Sequence, residues 1–309
     1  MKLAFVFPGQ GSQAVGMLKG YDGLAEVEAV RREASAALGE EFLKIIDEGP
    51  AEKLNLTVNT QPAMVTAGYA AYRAWRALGG PAPQVLAGHS LGEYTALVAG
   101  GALTFAACLP LVRFRAQAMQ EAVPEGKGAM AAIINLDDDK VREACAAAGG
   151  EVQAVNFNSP GQIVIAGEKS AVERAMDQCK ALGAKRALPL PVSAPFHSTL
   201  MKPAGVRLGE YLQKVSVAKL SMELINNVDV AIESDAGRIR DALTRQAYSP
   251  VRWVETIRKM AASGVTHVVE CGPGKVLSGL TKRIDGGLQS FALADRASLE
   301  QALAAIKGA

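Results

Sequence analysis

Five residues, Gly88-His89-Ser90-Leu91-Gly92, constrain the fold more than any other stretch of this 309-residue chain. A serine with glycine two positions to either side is the pattern of a nucleophile elbow, a sharp strand-to-helix turn. The glycines are required because the turn brings strand and helix backbones too close for a Cβ. The flanks agree: Gln84-Val85-Leu86-Ala87 reads as a buried strand, and Glu93 to Ala99 reads as a helix. A strand of that kind belongs in a sheet covered on both faces, the arrangement of α/β proteins.

The rest of the chain repeats the pattern. Leu3 to Phe7 is a short apolar run stopped by Pro8-Gly9, and Val265–Glu270 is another, ending in Gly272-Pro273-Gly274. Helical periodicity fills Leu24–Leu38, Glu41–Asp47 and Gln61–Leu78, the last closed by Gly79-Gly80 and Pro81. The middle reads differently. Strands are predicted at Gly128–Ile134, Val152–Asn156, Gln162–Ala166 and Lys185–Leu190, with helices at Asp137–Ala148 and Lys169–Leu182. That order, β-α-β-β-α-β, is the ferredoxin-like arrangement. The expected plan is a discontinuous large α/β domain, residues 1–125 and 196–309, with a small α+β domain, residues 126–195, inserted in it.

Composition then removes several function classes. Basic side chains number 33 and acidic ones 31, a net charge of +2, so no single-sign field exists to hold nucleic acid or an anionic membrane. Tyr94 to Val112 is nineteen residues without a charge, but Gly100-Gly101 and Pro110 break it into two buried helices rather than one span. Cys108, Cys145, Cys179 and Cys271 lie far apart, and with three histidines in all no metal site is expected. Reduced, buried thiols and an amino terminus without a signal-peptide pattern point to a cytoplasmic protein.

A serine nucleophile needs a base, and imidazole is the usual one near neutral pH. His89 is adjacent to Ser90 and should point away from it, which suits site support. His267 alternates within a strand and reads as a core or sheet-edge residue. By elimination the base is His197, in the Pro-constrained loop Ser193-Ala194-Pro195-Phe196-His197. No acid stands out as a third member, since Asp137, Asp138 and Asp139 read as the solvated start of a helix, which leaves the imidazole to be oriented by a carbonyl or an amide. On the helix from Thr104 to Glu121 the apolar stripe runs Phe105, Cys108, Val112, Arg115, Met119. Arg115 therefore faces the core, either in a buried ion pair or as a bidentate clamp for a substrate carboxylate.

In combination these residues resemble the malonyl-CoA:acyl carrier protein transacylases of dissociated bacterial fatty acid synthesis. The resemblance runs nearly end to end. It includes Phe7-Pro8-Gly9-Gln10-Gly11-Ser12-Gln13, Thr60-Gln61-Pro62-Ala63, the elbow with Glu93, and Val155-Asn156-Phe157-Asn158-Ser159-Pro160-Gly161-Gln162. Further on come Pro195-Phe196-His197, Asn226-Asn227-Val228-Asp229, Gln246, Pro250-Val251-Arg252-Trp253 and Gly272-Pro273-Gly274-Lys275-Val276-Leu277. It implies an α/β-hydrolase-like large domain carrying a ferredoxin-like one. It implies that Ser90 carries the malonyl group as an ester, that His197 is the base, and that the backbone carbonyl of Gln246 orients the imidazole. Arg115 would bind the malonyl carboxylate, and the amides of Gln10 and Leu91 would form the oxyanion hole. His89 and Asn158 fall at supporting positions. Phe196, directly before the histidine, implies unbranched malonyl units.

The resemblance also implies malonyl-CoA as substrate, no permanently bound cofactor, and an acidic acyl carrier protein as transient partner. Lys185, Arg186, Lys202, Lys275 and Arg283 are candidate docking contacts. Three rivals are a thioesterase or lipase, an inactive acyl-binding protein, and a dinucleotide-binding protein built on Gly9-Gln10-Gly11-Ser12-Gln13-Ala14. The last needs a strand where residues 24–47 read as helix.

Overall fold

The computed structural model describes residues 1–308, and the described residues contain nine strands in two separate sheets. In chain order these are β1 (Leu3–Phe7), β2 (Val85–Gly88), β3 (Gly128–Ile134), β4 (Val152–Ser159), β5 (Gln162–Glu168), β6 (Arg186–Pro189), β7 (Glu223–Ile225), β8 (His267–Cys271) and β9 (Gln289–Leu293). The first sheet is parallel throughout, in the order β7-β2-β1-β8-β9. The second is antiparallel, in the order β4-β5-β3-β6, and is built from one contiguous stretch of chain.

β1 is central in the parallel sheet, and its five residues are all buried. They alternate between two cores. Leu3, Phe5 and Phe7 pack under the helices Ala25–Leu38, Thr57–Ala77 and Phe105–Glu121, while Ala4 and Val6 face Trp253–Ala262 and Val276–Ile284. That is why the strand reads as a continuous apolar run rather than an alternating one. In the antiparallel sheet the alternation is visible. Ala131, Ile133, Ile163 and Ile165 face the helices Asp138–Ala148 and Lys169–Ala181, while Met130, Val155, Val164 and Ala166 pack with Leu190, Val192 and Phe196. This second face closes over the carboxyl ends of β1 and β2.

The antiparallel sheet is tied by backbone to the loop that precedes the helix Trp253–Ala262. The amide of Val251 donates to the carbonyl of Val155 (2.8 Å), and the amide of Phe157 donates to the carbonyl of Val251 (3.0 Å). Arg283 Nη1 adds a bond to Gln162 Oε1 at 2.8 Å.

The uncharged stretch at Tyr94–Val112 divides as expected. The helix Gly92–Ala99 ends at Gly100-Gly101, and Thr104 caps the next helix by accepting from the amide of Ala107. No helix among the described residues is long and apolar enough to cross a membrane. Two boundaries differ from the sequence reading by three residues or more. The helix expected from Gln61 begins at Thr57 and carries Pro62 inside it. Packing on the sheet outweighs the lost proline bond, and the Thr60 hydroxyl donates to the carbonyls of Leu54 and Leu56 in that first turn. β4 runs to Ser159 because Pro160-Gly161 alone makes the turn, with Gly161 at φ 73°.

Candidate active site

Phe7 pairs with Gly88, so the carboxyl ends of β1 and β2 deliver the Gln10 loop and the Ser90 elbow side by side. In open α/β sheets ligands bind outside the carboxyl ends of the strands. The elbow is as tight as its glycines suggest. A Cβ on Gly88 would lie 1.9 Å from the carbonyl carbon of Gly92, and one on Gly92 would lie 1.9 Å from the carbonyl oxygen of Phe7. Ser90 itself sits at φ 51°, in the left-handed region that costs a non-glycine residue on the order of 1–3 kcal/mol. Asn227 holds it there. Its side-chain Nδ2 donates to the carbonyl of Gly88 (2.6 Å), and its Oδ1 accepts from the backbone amide of Ser90 (2.7 Å).

His197 is buried and reaches the serine from the chain that follows the antiparallel sheet. Its Nε2 lies 2.6 Å from Ser90 Oγ and its Nδ1 lies 2.9 Å from the carbonyl oxygen of Gln246. A carbonyl can only accept, which assigns the proton to Nδ1 and leaves Nε2 free to accept from the serine hydroxyl. Burial, and then the nearby positive charge of Arg115, push the His197 pKa from 6.5 down to about 3, so the imidazole is neutral at working pH.

Arg115 projects from the helix Phe105–Glu121 and is 2% exposed. Its donors reach amide and hydroxyl oxygens: Nη1 to Gln61 Oε1 (2.8 Å), Nη2 to Gln246 Oε1 (3.0 Å) and Nη2 to Ser90 Oγ (3.3 Å). Nε has no partner, and the guanidinium carbon stands 5.4 Å from the centre of the Tyr94 ring. A buried cation whose bonds all go to neutral groups is poised to take an anion.

Of the remaining sequence candidates, Gln10, His89 and Leu91 line the same cleft. Gln10 and Leu91 line it beside Ser90, and Leu91 stands at the N-terminus of the elbow helix. His89 Nε2 lies 2.8 Å from Asn158 Oδ1. Asn158 reaches it from an extra residue, a bulge, in β4. Met119, Met130, Leu190, Val192 and Phe196 supply apolar wall. His267 lies on β8, stacked against Phe291. No group of three or more His, Cys, Asp or Glu side chains suited to a metal ion occurs among the described residues.

The family model of the acyl transferase domain matches residues 4–298. The chain is also 55% identical over 307 residues to the malonyl CoA-acyl carrier protein transacylase of Escherichia coli (strain K12), an alignment that spans 98% of this chain and 99% of the relative. The chain belongs to the malonyl CoA-acyl carrier protein transacylase family. Two solved structures extend the likeness to three dimensions. An acyl-carrier-protein S-malonyltransferase from Burkholderia pseudomallei 1710b superposes with a TM-score of 0.97 at 61% identity, covering 98% of this chain and 100% of the other. A malonyl-transacylase solved in complex with a type II PKS acyl-carrier protein gives 0.97 at 51% identity, covering 99% of this chain and 100% of the other.

For a member of this transacylase family, three polar residues matter that residue-by-residue reading passed over: Glu93, Gln61 and Asn227. Glu93 is 2% exposed, and its Oε2 accepts from Gln246 Nε2 (2.8 Å) and from the amide of Asn227 (3.0 Å). Burial raises its pKa from 4.5 to about 7 despite those bonds. The usable signal is a polar residue on the apolar face of a helix, the same one that singled out Arg115.

His197 and Glu93 make opposite demands on pH. Between 6.5 and about 3 the folded protein refuses the His197 proton that the unfolded chain accepts, so stability from His197 is lost as pH falls through that window. Between 4.5 and about 7 the fold takes up a Glu93 proton that the unfolded chain releases, so stability from Glu93 is lost as pH rises. The two offset each other where the windows overlap. Melting temperatures of wild type and His197→Ala, measured from pH 4.5 to 7, should therefore diverge, with the variant losing stability more steeply as pH rises. Parallel curves would contradict the assignment.

Proposed function

We propose that the chain moves a malonyl group from malonyl-CoA to the phosphopantetheine thiol of acyl carrier protein, through a malonyl ester on Ser90, for fatty acid synthesis in the cytoplasm. Ser90 Oγ attacks the thioester carbonyl carbon while its proton passes to His197 Nε2. The oxyanion faces the amides of Gln10 and Leu91, donors of a kind worth about 10²–10³ in rate. The amide of Ser90 is already committed to Asn227, which leaves the role to its neighbours. As the C–S bond breaks, coenzyme A leaves with the proton from His197. The carrier thiol then attacks the ester in the reverse sense, with His197 taking the thiol proton and returning it to Ser90.

The observation that carries this reading is Arg115, a buried guanidinium without an anionic partner 3.3 Å from the serine hydroxyl. A neutral-ester hydrolase has no use for it, whereas a malonyl carboxylate fits it bidentately. Phe196 narrows the cleft toward unbranched acyl units. No bound cofactor enters the scheme. We further read the parallel-sheet unit, residues 1–125 and 196–309, as α/β-hydrolase-like, and residues 126–195 as a ferredoxin-like insertion. The strand order β4-β5-β3-β6 supports the second assignment.

Mass spectrometry of the protein incubated with malonyl-CoA alone tests the central step. A malonyl adduct on Ser90 is expected, with none on Ser90→Ala. A wild-type protein that stays unmodified, or that releases only free malonate in the presence of carrier protein, refutes the reading.

A further inference from the structure

We propose that Glu93 is a positioning residue: by accepting from Gln246 Nε2 it fixes which end of the Gln246 amide faces Arg115, and so aims the guanidinium at the substrate carboxylate. The inference rests on the malonyl reading of Arg115.

Gln246 links the nucleophile, the base and the arginine. Its backbone carbonyl orients His197, its Oε1 accepts from Arg115 Nη2 (3.0 Å), and its Nε2 donates to the carbonyl of Ser90 (3.0 Å) and to Glu93 Oε2 (2.8 Å). The oxygen and nitrogen ends of a glutamine amide are nearly the same shape, so sterics alone do not choose between them. Partners choose. Glu93 Oε2 is an acceptor here, and it takes the NH₂ end of Gln246, which leaves the oxygen for Arg115. With the amide reversed, an NH₂ group would face the guanidinium and an oxygen would face both the Ser90 carbonyl and Glu93, three contacts in conflict. Glu93 Oε2 also accepts from the amide of Asn227, whose side chain holds the elbow, so one carboxylate sets both the nucleophile turn and the clamp. Other groups facing Glu93 are Arg115, across Gln246, and Asp229, on the loop after Asn227.

The decisive measurement is the ratio of malonyl to acetyl transfer, each as kcat/KM, because a loss of general packing slows both equally. Acetyl lacks the carboxylate that Arg115 would hold. Glu93→Ala should lower the ratio by about tenfold or more, as expected for loss of a charge-assisted alignment. Glu93→Gln, which keeps a carbonyl acceptor at the same reach, should restore most of it. Gln246→Met removes the same amide from the other side and should shift the ratio in the same direction, which covers the case in which Glu93→Ala does not fold. If Arg115→Ala changes the ratio but Glu93→Ala and Gln246→Met do not, the inference fails and the clamp stands. A ratio that does not respond to Arg115→Ala removes both. Glu93→Gln as damaging to the ratio as Glu93→Ala also overturns it.

Discussion

Arg115→Ala should cut malonyl transfer by about 10²-fold or more while leaving acetyl transfer within a few-fold of wild type, so that a malonyl transferase comes close to being an unselective one. The magnitude follows from what is removed. A charge-assisted hydrogen bond to an ion contributes about 1.5–3 kcal/mol, and a bidentate pair contributes two in a fixed geometry. Burial strengthens the effect, because the site holds the guanidinium out of water before substrate arrives, 2% exposed and bonded to neutral oxygens. Arg115→Lys should recover little. An ammonium cannot span Gln61 and Gln246 while offering a planar fork to a carboxylate. Burial chiefly depresses the His197 pKa and the Arg115 charge adds to it, so removing that charge should move the acid limb upward from a region near pH 3. Steady-state kinetics with both thioesters, taken across pH, check all three statements, and equal losses for malonyl and acetyl would end the clamp.

The second large effect is expected at the base. His197→Ala should lower malonyl transfer by at least about 10³-fold, because Ser90 then has no acceptor for its proton at 2.6 Å. Nucleophile and base act as a unit, so the double variant with Ser90→Ala should be no slower than Ser90→Ala alone. Additive losses would mean that the two side chains work independently, which the geometry forbids. Substrate binding should survive in His197→Ala, since Arg115 and the cleft walls remain. Single-turnover acylation separates that from a failure to bind.

Much of this site could be read in the sequence because its requirements are steric or periodic. The elbow announces itself through Gly88 and Gly92, where a Cβ has no room. Arg115 is visible because helical spacing places a cation among apolar residues. His197 is reached by elimination among three histidines. The Gln246 carbonyl is of another kind. Any residue has a backbone oxygen, so nothing in the side chain marks this one, and only the family resemblance pointed to it. Glu93 and Asn227 escape the sequence because polar residues next to turns look solvated until packing is known, and Gln61 because its helix is buried on nearly every side and shows little contrast between faces. Asn158 aims at His89 from a β-bulge, and bulges of this kind leave no periodic trace. β7, three residues at the sheet edge, is too short for alternation to register.

The pairing of Val251 with β4 carries a consequence for how this enzyme could acquire other tastes. Ser90, His197, Arg115 and Gln246 all lie outside the antiparallel sheet, whereas Met130 and Asn156 belong to its strands, and Leu190 and Val192 follow it directly. The chassis that moves protons is thus encoded apart from the cover that shapes the cleft, and the cover is fastened partly through main-chain atoms at Val155, Phe157 and Val251, which any side chain there supplies. Sequence drift in the cover can remodel the space for an acyl chain while the fastening holds and the chemistry goes on undisturbed.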